Sequence, residues 1–365
     1  MISKGERFLS SSNYSTKYHL KIWFCKPYSD SPVGGMQNEL RLIRERVQFK
    51  HHDIRVIYHR ESLSAVGFEK LQRLGDEYQL QLMSLDEVEL RLHQMSNVQD
   101  QLELLLLAKQ EIMHPFGNLA AASDIVRTLA PALEVKSGYP GSRIYCDIDE
   151  PLSISLPSMI SLAPNEVVRA NHNNNLLITG DIENPTLQVI RQSILKNYQA
   201  EICQEIFIEI MGYVFGLCCM QKRDRGLFRY LQSMVNQNDD KIQYPSGNVF
   251  QLRAHIAHQL SILQQNEDHD VNEKFDIQRF WNLCYLKLVC KISGPGAYNM
   301  PIYEEKIVMM DLFYRKQGRS DLSWVPNSAY LSRLQHQVEL MKESALIIQR
   351  WWKKHTVENI SLKPI

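Results

Sequence analysis

The spacing of apolar and polar positions divides the chain into alternating strands and helices. Residues 19–24, HLKIWF, predict a first strand. The turn-rich stretch KPYSDSPVGG (26–35) follows, and 38–49 has helical spacing at Leu40, Ile43 and Val47. In HDIRVIY (52–58) β-branched and aromatic residues alternate with polar ones, which predicts a second strand. Residues 65–78 predict a helix, and QLQLM (79–83) a short strand. Strand, helix, strand, helix, strand is the order of a parallel sheet covered by helices.

Residues 86–112 are helical in pattern, as a hairpin or an insertion. NLAAASDIVRTLAPAL (118–133) predicts the next helix, whose Ala120, Ala121 and Ala122 permit close backbone approach. GYPGSR then turns into a short strand, RIYCDID (143–149). Asp147 and Asp149 are i and i+2, so a continued strand points both to one side. At a strand end they stand at the edge of the crevice where α/β sheets bind ligands. After a linker at 150–165, NNLLITG (174–180) predicts another strand. Residues 185–213 are mostly helical, as are 249–262 and 276–290; 307–313 predicts a late strand and 328–355 a final helix.

Composition narrows the function classes. The chain has 365 residues, 44% of them hydrophobic, enough for two structural units or one large α/β domain. Its 41 basic residues are balanced by 41 acidic ones. A general nucleic-acid binder carries a basic excess, so no nucleic-acid partner is expected. Seven cysteines stand at irregular spacings, most in apolar runs, and read as reduced core residues of a cytosolic compartment. No transmembrane segment is expected: LELLLLA (102–108) is too short, and 202–220 is broken by Gln204, Glu205, Glu209 and two glycines. The opening residues lack the apolar core of a signal peptide.

The acidic pair carries the chemistry. Two carboxylates can ligate Mg²⁺ or Mn²⁺, which in turn binds diphosphate oxygens and offsets charge on a leaving diphosphate. Acidic residues after a strand also simply form a turn or cap a helix. One helix upstream, Asp124 and Arg127 are i and i+3 on one face. As a surface ion pair they would contribute little. Set among alanines and apolar residues, they are costly to leave idle. There the aspartate can accept hydrogen bonds from sugar hydroxyls, and the arginine can steady a sugar or diphosphate.

The stretch GNLAAASDIVRTLAPALEVKSGYPGSRIYCDIDEPLS resembles the core of the DXD-type glycosyltransferases of the GT-A fold. It is similar to the glucosylating domains of large clostridial toxins and to related bacterial effector enzymes. Ala122, Ser123, Asp124, Ile125 and Arg127 match that family's AxSDhhR helix, and Tyr145, Asp147 and Asp149 its YhDhDhhP strand. The family's glycine pair is replaced by the longer GYPGS. The resemblance implies an α/β fold with a GT-A-like, Rossmann-type nucleotide-sugar-binding sheet and helical insertions. It implies a glycosyltransferase that moves glucose or N-acetylglucosamine from a UDP-sugar to a protein acceptor, with retention, using Mn²⁺ or Mg²⁺. Trp23 would stack on the uracil, although a half-buried core tryptophan fits the same pattern. Asp147 and Asp149 would hold the metal, with Asp321 joining them. Asp124 and Arg127 would position the donor sugar beside Tyr145. Asn173, Asn174 or Asn175 would meet the sugar or the acceptor, and three asparagines equally suit a turn. Gly294, Pro295 and Gly296 resemble a tight turn on the acceptor side. Ser323 and Trp324 in SDLSWVP would close over the diphosphate.

The expected organisation is a flexible start (1–18), a transferase domain (19–326) with helical insertions near 86–115 and 186–290, and a helical tail (327–365). In the tail, SALIIQRWWKKHT (344–356) resembles the first half of a calmodulin-binding IQ motif, with Glu358 where a basic residue belongs. An amphipathic helix with a basic flank suits calmodulin, an anionic membrane, or packing on the enzyme body. Toxin resemblance implies a secreted effector acting on a host protein in the host cytoplasm; otherwise a cytoplasmic enzyme is expected. Two other classes compete: metal-dependent phosphate chemistry at a strand-end DxD, and a non-catalytic adaptor working through the tail.

Overall fold

The structure, a computed structural model, describes residues 18–25, 27–129, 143–148, 167–169, 176–179, 185–219, 247–265 and 271–298. Six strands form one sheet in the order β3-β2-β1-β4-β6-β5. They are β1 (Tyr18–Ile22), β2 (Asp53–Tyr58), β3 (Gln81–Ser84), β4 (Arg143–Cys146), β5 (Val167–Arg169) and β6 (Leu176–Thr179). β1 runs parallel to β2 and β4, and β2 parallel to β3. β6 is antiparallel to both β4 and β5. The chain is thus an α/β protein, as its sequence predicts, with β1–β4 parallel to one another, except that the other side of the sheet is antiparallel and β5 follows the expected linker.

The helices are α1 (Met36–Gln48), α2 (Ala65–Tyr78), α3 (Leu85–His93), α4 (Gln99–Met113), α5 (Leu119–Leu129), α6 (Pro185–Tyr198), α7 (Ala200–Cys219), α8 (Val249–Gln265), α9 (Val271–Ile292) and the short α10 (Pro295–Tyr298). Local chemistry starts several of them. The Ser64 hydroxyl accepts the Gly67 amide at 3.0 Å to cap α2. Ser84 and Glu87 cap α3 reciprocally, as a capping box. The mostly helical stretch expected at 185–213 is two helices, the second running on to Cys219. They break at Gln199, where the Asn197 side-chain amide donates to the carbonyls of Lys291 and Ile292 (3.1 and 3.2 Å).

The chain divides into two compact units. The first holds the sheet, α1–α6 and the described residues 200–206, 247–255 and 287–298. The second holds the described residues 207–219, 256–265 and 271–286, with a core that includes Phe207, Ile210, Val214, Phe280 and Trp281.

β1 decides how α1 sits. Leu20 and Ile22 point to one face of the sheet, His19 and Lys21 to the other, and all four are buried. Buried polar side chains need a partner, and Glu45 of α1 supplies it: His19 Nδ1 lies 2.9 Å from one carboxylate oxygen and Lys21 Nζ 2.7 Å from the other. Burial alone would raise the Glu45 pKa, but Lys21 and His19 hold it below its ordinary value. α1 therefore buries Asn38, Leu42 and Glu45, and turns Leu40 and Val47 outward. The apolar spacing that predicts this helix lies on its exposed side.

Candidate active site

Because β1 and β4 are parallel neighbours, with Leu20 opposite Tyr145, their C-terminal ends share one edge of the sheet. β4 stops at Cys146, so Asp147 follows the strand instead of continuing it. α5 brings Ser123, Asp124 and Arg127 to the same place.

Arg127 organises the cluster. Its Nη2 lies 3.0 Å from Asp124 Oδ1 and 3.2 Å from Asp147 Oδ1. Its Nη2 and Nε also donate to the Ser123 hydroxyl and carbonyl, both at 3.3 Å. The guanidinium carbon stands 4.4 Å from the centroid of the Tyr145 ring, a cation–π contact. The Tyr145 hydroxyl lies 3.2 Å from Ser123 Oγ and donates to Asp147 Oδ1. Burial pushes the Tyr145 phenol well above its ordinary pKa; Arg127 pulls it down and Asp147 pushes it up. The phenol therefore keeps its proton and acts as a donor. Asp124, Arg127 and Tyr145 are buried, whereas the Asp147 side chain is 25% exposed. The cluster opens to solvent at Asp147, where a cation or an anionic ligand held through one would arrive.

Gly294 forms a wall on the other side. A Cβ placed there would lie 3.2 Å from Asp124 Oδ2, and 3.0 Å from Cys290 Cα. The SGPGAY segment thus packs its backbone against the carboxylate, and it continues as α10, with Pro295 suited to a first helical turn. Trp23 follows β1 at the same edge of the sheet. Its amide donates to the Ile57 carbonyl at 3.2 Å, and its ring is half-buried between two small apolar clusters. A Cβ on Gly34, whose φ is +72°, would fall 2.2 Å from the indole. Glycine is required there on both counts. Cys25 nearby donates to the Ser31 carbonyl at 2.7 Å; burial raises its thiol pKa to about 11, which fits a packing role.

Asp149, Asn174, Asp321, Ser323 and Trp324 lie outside the described residues, as do the predicted strand at 307–313 and the tail motif at 344–356. Among the described residues no three His, Cys, Asp or Glu side chains converge as a metal site. No described helix is long and apolar enough to cross a membrane.

A second network underlies α5. Glu111, at the end of α4, accepts Arg253 Nη1 at 2.5 Å, the Tyr198 hydroxyl at 2.5 Å and the Asn118 amide at 2.7 Å. Asn118 in turn accepts the Ala121 amide at 3.0 Å, at the first turn of α5. At the other end, Arg191 donates to the Thr128 carbonyl at 3.2 Å. The helix carrying Asp124 and Arg127 is thus anchored at both ends by side chains from α4, α6 and α8.

Residues 7–167 match glycosyltransferase family 88, a stretch that includes Trp23, Asp124, Arg127, Tyr145, Asp147 and Asp149. Glycosyl transfer, the enzyme class expected from the sequence, is the class of that family. The match spans somewhat less than half of the chain. No curated protein matches. Among solved structures the chain is similar to the UDP-bound glycosyltransferase domain from the YGT toxin, at 11% identity and TM-score 0.42, over 82% of this chain and 78% of that one. It is also similar to the PaToxG glycosyltransferase, at 14% identity and TM-score 0.34, over 74% of this chain and 86% of that one. Likenesses at these scores assign no role to any residue.

Proposed function

We propose that this glycosyltransferase domain moves a hexose, glucose or N-acetylglucosamine, from a UDP-sugar to a protein acceptor, with retention at the anomeric carbon. The observation that carries the proposal is the Asp124–Arg127–Asp147 cluster at the sheet's C-terminal edge, inside the region that matches a glycosyltransferase family. In the transfer, the bond from the sugar's anomeric carbon to the diphosphate oxygen breaks and its electron pair leaves with UDP. A bond to the acceptor side chain forms, and the acceptor gives up a proton.

The residues suit divided roles. Asp147 offers a partly exposed carboxylate, the hard oxygen donor that Mn²⁺ or Mg²⁺ takes, and Asp149 would complete the pair, with Asp321 as a third ligand. A bound cation would supply charge stabilisation on the leaving diphosphate. Asp124, held by Arg127 and walled by Gly294, would accept sugar hydroxyls. Arg127 holds both carboxylates in register and adds positive charge where the diphosphate would lie. Trp23 would stack on uracil, Asn174 would face the sugar or acceptor, and Ser323 and Trp324 would cover the diphosphate. A secreted enzyme acting on a host protein in the host cytoplasm follows from resemblance to toxin domains.

The test is turnover. The protein is incubated with a panel of sugar nucleotides and Mn²⁺, and released nucleoside diphosphate is followed. Release from a UDP-sugar, abolished by Asp147→Asn or Asp149→Asn, is expected. No release and no thermal stabilisation with any donor would sink the proposal.

A further inference from the structure

α1 is amphipathic in the reverse sense. Met36, Leu40, Ile43 and Val47 fall within one narrow stripe at i, i+4, i+7 and i+11. That stripe faces solvent: Met36 is 76% exposed, Leu40 48% and Val47 59%, with Ile43 half-buried. The inward side carries Asn38, Leu42 and Glu45. The helix cannot roll the stripe inward without tearing Glu45 from His19 and Lys21 inside the protein. Its outward ridge is therefore held in place by buried charge.

Cations border the ridge. Arg44 is exposed on the helix one turn after Leu40, and Lys50 is exposed just past the helix's C-terminal end. Arg41, which bonds Asn38 at 2.9 Å, and Arg46, which bonds the His52 and Lys50 carbonyls, stand further round. Glu39 is the one acidic residue on the helix's outer surface. A convex ridge of four apolar side chains is far smaller than the roughly 800 Å² per partner that a stable protein interface needs. A lipid surface requires no matching shape; it accepts an apolar ridge between the acyl chains and pairs flanking cations with anionic headgroups.

We infer that α1 is a peripheral membrane-contact helix, seating Met36, Leu40, Ile43 and Val47 in an anionic bilayer surface with Arg44 and Lys50 at the headgroups. The test is flotation of the full chain with vesicles of phosphatidylcholine containing about a third phosphatidylserine, beside vesicles of phosphatidylcholine alone. The protein is expected to float with the anionic vesicles only. Met36→Gln/Leu40→Gln/Val47→Gln should lower recovery at least about fivefold, and Arg44→Gln/Lys50→Gln about threefold, with the circular dichroism spectrum unchanged. Equal flotation of the parent and the triple variant would overturn the inference, since binding would then reside elsewhere, as in residues 344–356. Failure of the parent to float would also overturn it. So would a dimer, seen by light scattering and abolished by the triple variant without vesicle binding, which would assign the ridge to a second copy of the chain.

Discussion

Two arginines in the sheet-bearing unit are built into carboxylate networks, and the networks differ in one respect. Arg253 and Glu111 are both 0% exposed. The glutamate's oxygens are taken up by Arg253, Tyr198 and the Asn118 amide. Arg127 likewise joins carboxylates, but one of them, Asp147, is 25% exposed. A closed network of this kind fixes structure. A network with the same chemistry that opens to solvent at a strand end can still engage a ligand. The difference separates scaffold from site more sharply than charge or burial alone.

Substitutions can break this contrast. Glu111→Ala should have the largest effect, because it leaves Arg253 buried without its counter-charge: about 3–5 kcal/mol of stability lost, read by urea unfolding. A much smaller loss would mean that the closed network is not a scaffold. Tyr198→Phe removes one hydrogen bond to the same carboxylate and should cost about 1–2 kcal/mol. In the open network the losses should appear as activity. Tyr145→Phe deletes the hydroxyl that holds Asp147 and should lower sugar-nucleotide turnover about tenfold, near 1.4 kcal/mol in barrier, while the unfolding midpoint barely moves. Equal stability losses in Tyr145→Phe and Tyr198→Phe would erase the distinction.

The smallest effect concerns pH. The folded pKa of Glu45 is lowered, so its contribution is present above the ordinary glutamate value of 4.5 and is lost as pH falls through the lower folded value. Glu45→Gln should flatten the acid limb of the stability profile, measured by thermal melts between about pH 3 and 6.

What the sequence reveals depends on distance along the chain. α2 is legible because its cap and apolar spacing are local. Asp124 and Arg127 are legible as a pair because a helix places i and i+3 together. Asp147 is legible as a residue of the sheet's edge, but the strand predicted over 143–149 stops at Cys146, so Asp147 bonds Tyr145 from beyond the strand. The Glu111–Arg253 pair spans 142 positions, and no pattern in one sequence announces it. For α1 the apolar period predicts the helix while its buried side is settled by His19 and Lys21, on another element. Periodicity names an element; the partner's chemistry chooses its face. β6 is legible as a strand in NNLLITG, but its antiparallel direction leaves no local trace, and three-residue β5 is too short to show a period.

The most direct test of the central claim is UDP affinity by titration calorimetry, with and without Mn²⁺, for the parent and Asp147→Asn. If the Arg127 cluster is the donor site, Mn²⁺ should tighten UDP binding to the parent at least about tenfold and leave Asp147→Asn nearly unchanged. The same Mn²⁺-dependent affinity in both proteins would contradict it.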